Sequence, residues 1–182
     1  MVKICLDPGH GGRTPGAVNK YCEEKDINLI LAKKLAQRIE EDLQEHEVVL
    51  TRDSDVFLKL MDRCMIANVN ACDIFVSLHC NSSTNICARG VEVFYFNNSL
   101  KGKQLAQFVQ NEIINKVGAK YDRGIKGTDK FVVLNHTAMP AILIEVGFLS
   151  NDDDSCNLMS DDYQNLLAFC IKNGIALYLQ NC

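Results

Sequence analysis

No stretch of the chain approaches the ~20 consecutive apolar residues that a membrane-spanning helix needs. One of the longest apolar runs covers only residues 141–144, so a soluble protein is expected. Basic charge is not in excess either. Nineteen Lys and Arg stand against 23 Asp and Glu, a net charge of −4, which leaves nothing to neutralise a phosphate backbone and disfavours nucleic acid as a partner. No CxxC pair occurs, and the nine cysteines are an odd number, so a disulfide scaffold is disfavoured and reduced thiols are expected. The three prolines, Pro8, Pro15 and Pro140, lie scattered, and no repeat, low-complexity tract or linker divides the chain. One domain over residues 1–182 follows. The opening MVKICLDPGH lacks the basic start and apolar core of a secretory signal. That suits synthesis in the cytoplasm without a leader, or removal of a leader.

What remains is ordinary globular material: 47% hydrophobic and 23% charged residues, enough for a chain of this length to bury about 70% of its unfolded surface. Residues 2–6 read as a buried strand running into DPGHGG, which only a loop accommodates. From Lys25 to Leu43 the apolar positions Ile27, Leu31, Leu35, Ile39 and Leu43 keep helical spacing. Further strands are read at 47–52, 74–78, 91–96, 131–134 and 141–146, and further helices at 57–71, 104–117 and 163–179. About six strands interleaved with helices predict an α/β fold: one twisted, mostly parallel or mixed sheet with helices on both faces. Cys5 in the first strand and Cys64 and Cys170 on apolar helix faces behave there as small hydrophobes.

In such sheets ligands gather beyond the carboxyl ends of strands. His10 follows the first strand, Glu24 stands at the mouth of the first long helix, and His79 ends the third strand. Two imidazoles and a carboxylate are the protein ligands of many catalytic zinc sites. Taken singly, each is more ordinarily a hydrogen-bonded surface group. Along SLHCN, Ser77, His79 and Asn81 project to one side and Cys80 to the other, which keeps its thiol away from the site. Glu145 interrupts the apolar strand of PAILIEVGF, where an ionised carboxylate is costly unless it is functional or paired, with Arg52 or Arg123 as the available cations. His46, beside EDLQEHE, reads as solvated, and His136 as a surface residue.

DPGHGG at 7–12, EKDINL at 24–29, LTR at 50–52, ANVNACDIFVSLHCN at 67–81, RGVEVFYF at 89–96, RGIK at 123–126 and PAILIEVGFLSN at 140–151 occur in that order. Together they resemble the zinc-dependent N-acetylmuramoyl-L-alanine amidases of the type 3 family, over nearly the whole chain. The resemblance implies one zinc ion held by His10, Glu24 and His79, with Glu145 as the catalytic acid/base. Glu24 is preferred to Glu23 because the family glutamate directly precedes a lysine, as Glu24 precedes Lys25. The implied substrate is bacterial peptidoglycan, cut between N-acetylmuramic acid and the L-alanine of the stem peptide. Asp7 is expected to orient His10, and Asn81 and the Gly11–Gly12 backbone to meet substrate, with Asn81 alternatively bracing the His79 loop. The substrate groove is expected to be shallow and polar.

Two other readings stand beside this one: a zinc peptidase acting within the stem peptide, and a wall-binding module without turnover. A phosphate loop is excluded because DPGHGG lacks a following Lys-Ser/Thr and the GxGxxG spacing. The missing leader suits a phage endolysin released at lysis, ahead of a bacterial autolysin or sporulation amidase whose leader was removed.

Overall fold

The computed structural model describes residues 1–43 and 45–181. Its elements follow in chain order: β1 (Val2–Pro8), α1 (Glu24–Asp42), β2 (His46–Leu50), α2 (Leu60–Val69), β3 (Ile74–Asn81), β4 (Val91–Phe96), α3 (Leu100–Val117), β5 (Asp122–Thr128), α4 (Val132–Asn135), β6 (Ala141–Phe148), α5 (Asp152–Met159) and α6 (Asp161–Gln180). The strands form one six-stranded sheet in the order β2-β1-β3-β6-β4-β5. Every neighbouring pair is parallel except β4 and β6. The sheet is therefore mixed, as the alternation of strands and helices predicts.

Strand alternation sorts the side chains into two layers. Ile4, Leu6, Val76, Leu78, Cys80, Ile142 and Ile144 enter the larger core, with Leu31 and Leu35 of α1, Leu105 and Val109 of α3 and Ile171 and Ile175 of α6. Cys5, Phe75, Ala141 and Leu143 point the other way, toward Cys64 and Ala67 of α2 and Val133 and Leu134 of α4. Phe75 has no exposed surface, and its truncation to alanine is expected to cost about 3–5 kcal/mol. Helix α6 approaches α3 closely because Gly174 carries no Cβ; one there would stand 2.6 Å from Val109 Cα. Among the described residues no helix is long and apolar enough to cross a membrane.

The structure differs from the sequence reading at several places, among them helix α5 (Asp152–Met159), which the sequence reading lacks. Residues 131–134 are not a strand: Val132–Asn135 form a single helical turn, and a four-residue apolar run carries no periodicity to separate the two. The sixth strand is instead β5, an edge strand of sequence DRGIKGT, whose polar composition hides it. Helix α2 begins at Leu60 rather than Phe57. Finally, His46 is the first residue of β2 and only partly exposed, with its Nδ1 shielded and without a hydrogen-bond partner.

Candidate metal centre and active site

Three elements converge at the carboxyl edge of the sheet. His10 lies just past β1, Glu24 opens α1 and His79 lies near the end of β3. One ligand atom from each lies within 4.8 Å of the other two. Glu24 Oε2 is 3.2 Å from His10 Nε2, Glu24 Oε1 is 2.9 Å from His79 Nδ1, and the two rings meet edge to face at 5.0 Å. Glu24 is buried in the first turn of α1, where the helix dipole favours a carboxylate. Its oxygens also accept from the Ala17 and Cys80 amides and from Asn28 Nδ2. Burial would raise the Glu24 pKa, but the bonds from His10 and His79 outweigh it and hold the carboxyl well below its ordinary value. Burial likewise would lower the His79 pKa, and the Glu24 bond with the negative charge of Glu145 reverses that and raises it. Two imidazoles and one ionised carboxylate facing a common point are a donor set suited to zinc, whose catalytic sites take three protein ligands.

Close approach at this centre depends on glycines that the sequence reading did not single out. A Cβ on Gly9 would stand 2.2 Å from the His79 ring, and one on Gly16 2.3 Å from Glu24 Oε2. His10 itself adopts φ 60°, a left-handed conformation that costs a non-glycine residue energy and needs external support. Two buried arginines supply it. Arg63 donates to the His10 carbonyl (2.6 Å), the Pro8 carbonyl (2.7 Å) and Asp7 Oδ1 (2.7 Å). Arg52 donates to the carbonyls of Pro8, Gly9, Lys25 and Ser54. Asp7 is completed by Thr51 and Ser77, which donate to its two oxygens. Asp7 thus reaches His10 through Arg63 and the backbone, where the sequence suggested a more direct orientation of the ring.

Glu145 is registered against His79 across the β3–β6 pair, on the same face as Asp7 and Ser77. Neither arginine considered for an ion pair serves it: Arg52 is spent on carbonyls, and Arg123 pairs with Glu92 at 2.8 Å. Glu145 Oε2 is buried and has no hydrogen-bond partner. Burial pushes the Glu145 pKa up to about 7; the His79 charge opposes the rise, and Glu24 and Glu92 add to it. A carboxylate left this way beside a candidate metal centre can exchange a proton near neutral pH.

The remaining site candidates are engaged within the protein. Asn81 Nδ2 donates to Glu92 (2.8 Å) and its Oδ1 accepts from the Ser82 amide. The Gly11 amide donates to Thr14 and the Gly12 amide to Asp55, so both donors are committed to loop closure. Cys80 is buried on the α1 side, its thiol against Asn28 Oδ1, and His136 caps α4 at the surface. Glu92, which the sequence reading passed over, ties Asn81, Arg123 and Lys126 together and stands opposite Glu145 on β4. The groove is not polar on all sides. A pocket of about 290 Å³ adjoins His10 and His79, walled by Phe57, Leu60, Phe131, Val132 and Leu143.

Comparison with known proteins gives the family and the fold. Residues 4–177 match the family model described as N-acetylmuramoyl-L-alanine amidase. The endolysin of Bacillus phage SPP1 is 39% identical over 180 residues, covering 95% of this chain and 64% of that protein. LytC, an N-acetylmuramoyl-L-alanine amidase of Bacillus subtilis, is 31% identical over 96% of this chain, which spans 35% of its length. An N-acetylmuramoyl-L-alanine amidase from Clostridium difficile 630 superposes with a TM-score of 0.93 at 39% identity, covering 98% of this chain and 97% of that one. With its fold, order of motifs and near-complete family match in agreement, the chain belongs to the N-acetylmuramoyl-L-alanine amidase family of peptidoglycan hydrolases.

Proposed function

We propose that the chain hydrolyses the amide between the lactyl group of N-acetylmuramic acid and the L-alanine that begins the stem peptide, with one zinc ion held by His10, Glu24 and His79 and with Glu145 as acid and base. The observation that carries this reading is the pairing of a three-ligand cluster within 4.8 Å with a shielded, unpartnered carboxylate oxygen in register beside it. A zinc ion at the cluster supplies Lewis acidity for a developing oxyanion and for activation of water.

The chain's own residues do the rest. Glu145 accepts a proton from the attacking water as the new C–O bond forms. It then returns that proton to the alanine nitrogen as the C–N bond breaks, so the products are a carboxylic acid on the muramoyl side and a free amine on the peptide. Glu24, held by the Ala17 and Cys80 amides, keeps both imidazoles oriented. Arg63 and Arg52 fix the loop that presents His10.

Mass spectrometry of peptidoglycan fragments, digested with and without a chelator, tests the reading. Stem peptides beginning with a free L-alanine, released only without chelator, are expected. Release of single terminal amino acids would instead identify a peptidase.

A further inference from the structure

The scissile amide has two chemically different sides, and so does the site. On the β4 side stands the polar network of Glu92, Asn81, Arg123 and Lys126. On the α2 and α4 side lies the apolar pocket, whose lining includes His10 and His79 themselves. An occupant of that pocket is therefore the part of the substrate adjoining the cleaved bond. Its volume of about 290 Å³ is at the lower end for small-molecule sites, room for a short peptide segment but not for a glycan strand. Apolar walls also disfavour the hydroxyl-rich sugar side, because hydroxyls buried there lose their hydrogen bonds.

The exposed charged residues of the pocket lining are both cations. Lys59 and Lys130 both line the pocket and are exposed. The lysine ion pairs of the described residues involve Lys3, Lys25, Lys34, Lys126 and Lys172, and neither of these two. Arg13 stacks over the Phe57 ring at 4.3 Å and adds a third cation nearby. An apolar wall ringed by unpaired cations fits a ligand that begins with a small alkyl group and continues to an anion.

We propose that this pocket seats the peptide side of the substrate, its walls taking the methyl of L-alanine, while Lys59 and Lys130 bind the free carboxylate of an acidic second residue. The chain would then distinguish stem peptides whose second residue is a free acid from those in which that carboxylate is amidated. This rests on the proposed amidase reaction and adds to it a specificity for the peptide.

The test uses two soluble disaccharide stem-peptide fragments that differ only in a carboxylate or carboxamide at the second residue. Wild-type protein is expected to favour the carboxylate by about 5- to 30-fold in kcat/KM, mainly through KM, as two partly exposed ion pairs allow. The preference should shrink as salt is added. The double variant Lys59→Gln/Lys130→Gln should bring the ratio to about 1, and Lys59→Arg/Lys130→Arg should keep it. Equal wild-type rates on the two fragments, or a preference that survives the glutamine variant, would overturn the pocket assignment while leaving the amidase reaction standing. Cleavage of neither fragment at the lactyl amide would overturn both.

Discussion

Arg63 joins Asp7 in an ion pair of 2.7 Å, and both side chains are almost wholly buried, at 3% and 1% exposure. The same guanidinium holds the His10 carbonyl, so the pair connects the sheet to the loop of the proposed ligand His10, which has a strained backbone. Replacing Arg63 by methionine leaves Asp7 charged and without its cation, an arrangement that typically costs about 3–5 kcal/mol. Metal affinity should fall about 10- to 100-fold, as on loss of groups that orient a ligand. Competition with a chromogenic chelator reads this directly. Unchanged affinity in a folded Arg63→Met protein would show that His10 needs no such support.

Glu92 gives the expected acid behaviour. Burial would raise its pKa, yet Lys126 and Arg123 outweigh that and hold it below the usual 4.5. A depressed native pKa contributes stability above the unfolded value, and that contribution disappears as pH falls through the native one. The melting temperature should therefore drop as pH is lowered from about 4.5, and Glu92→Gln should flatten that part of the profile. Identical acid limbs for the two proteins would remove Glu92 from the account.

Metal removal should lower the melting temperature, since an ion bound only by the native state adds to folding free energy. The metal-free protein is still expected to fold, because Glu24 bonds both imidazoles directly and α1 packs against a continuous core. A melting curve that does not move after verified metal removal contradicts the linkage.

The eight described cysteines are all free, and Cys5, Cys64, Cys72, Cys80 and Cys170 are buried; Cys182 lies outside the described residues. A thiol reagent should label Cys87 and Cys156 quickly in the native protein and at least eight thiols after denaturation without reductant. Fewer than eight would reveal a bridge.

Periodicity made α1, α3 and α6 legible from the sequence, and unbroken apolar runs did the same for the core strands β1, β3 and β6. The cluster of His10, Glu24 and His79 was suggested by residues at strand and helix ends, where an α/β sheet collects ligands, and the resemblance to the amidase family completed it by choosing Glu24 over Glu23. What escaped depends on contacts distant in sequence. Arg63 reaches His10 across 53 positions, and nothing local marks it. Gly9 and Gly16 are required by neighbours known only after folding. Residues 57–59 extend the apolar pattern of α2 yet lie ahead of the helix, and Phe57 and Leu58 wall the pocket. Pattern alone could not show that apolar side chains there line a pocket beside His10 and His79, where a polar surface was expected.

Glu145→Gln tests the central claim most directly, because it keeps the shape of the side chain and leaves all three proposed ligands in place. Zinc content, melting temperature and peptidoglycan turnover should be measured on that one variant. Zinc should remain at one per chain and the fold should persist, while turnover falls toward the upper end of the roughly 10²- to 10⁴-fold typical of a lost general acid/base, since the residue acts in both proton transfers. A folded, zinc-loaded Glu145→Gln protein with near-normal turnover would contradict the assignment of Glu145 as the base.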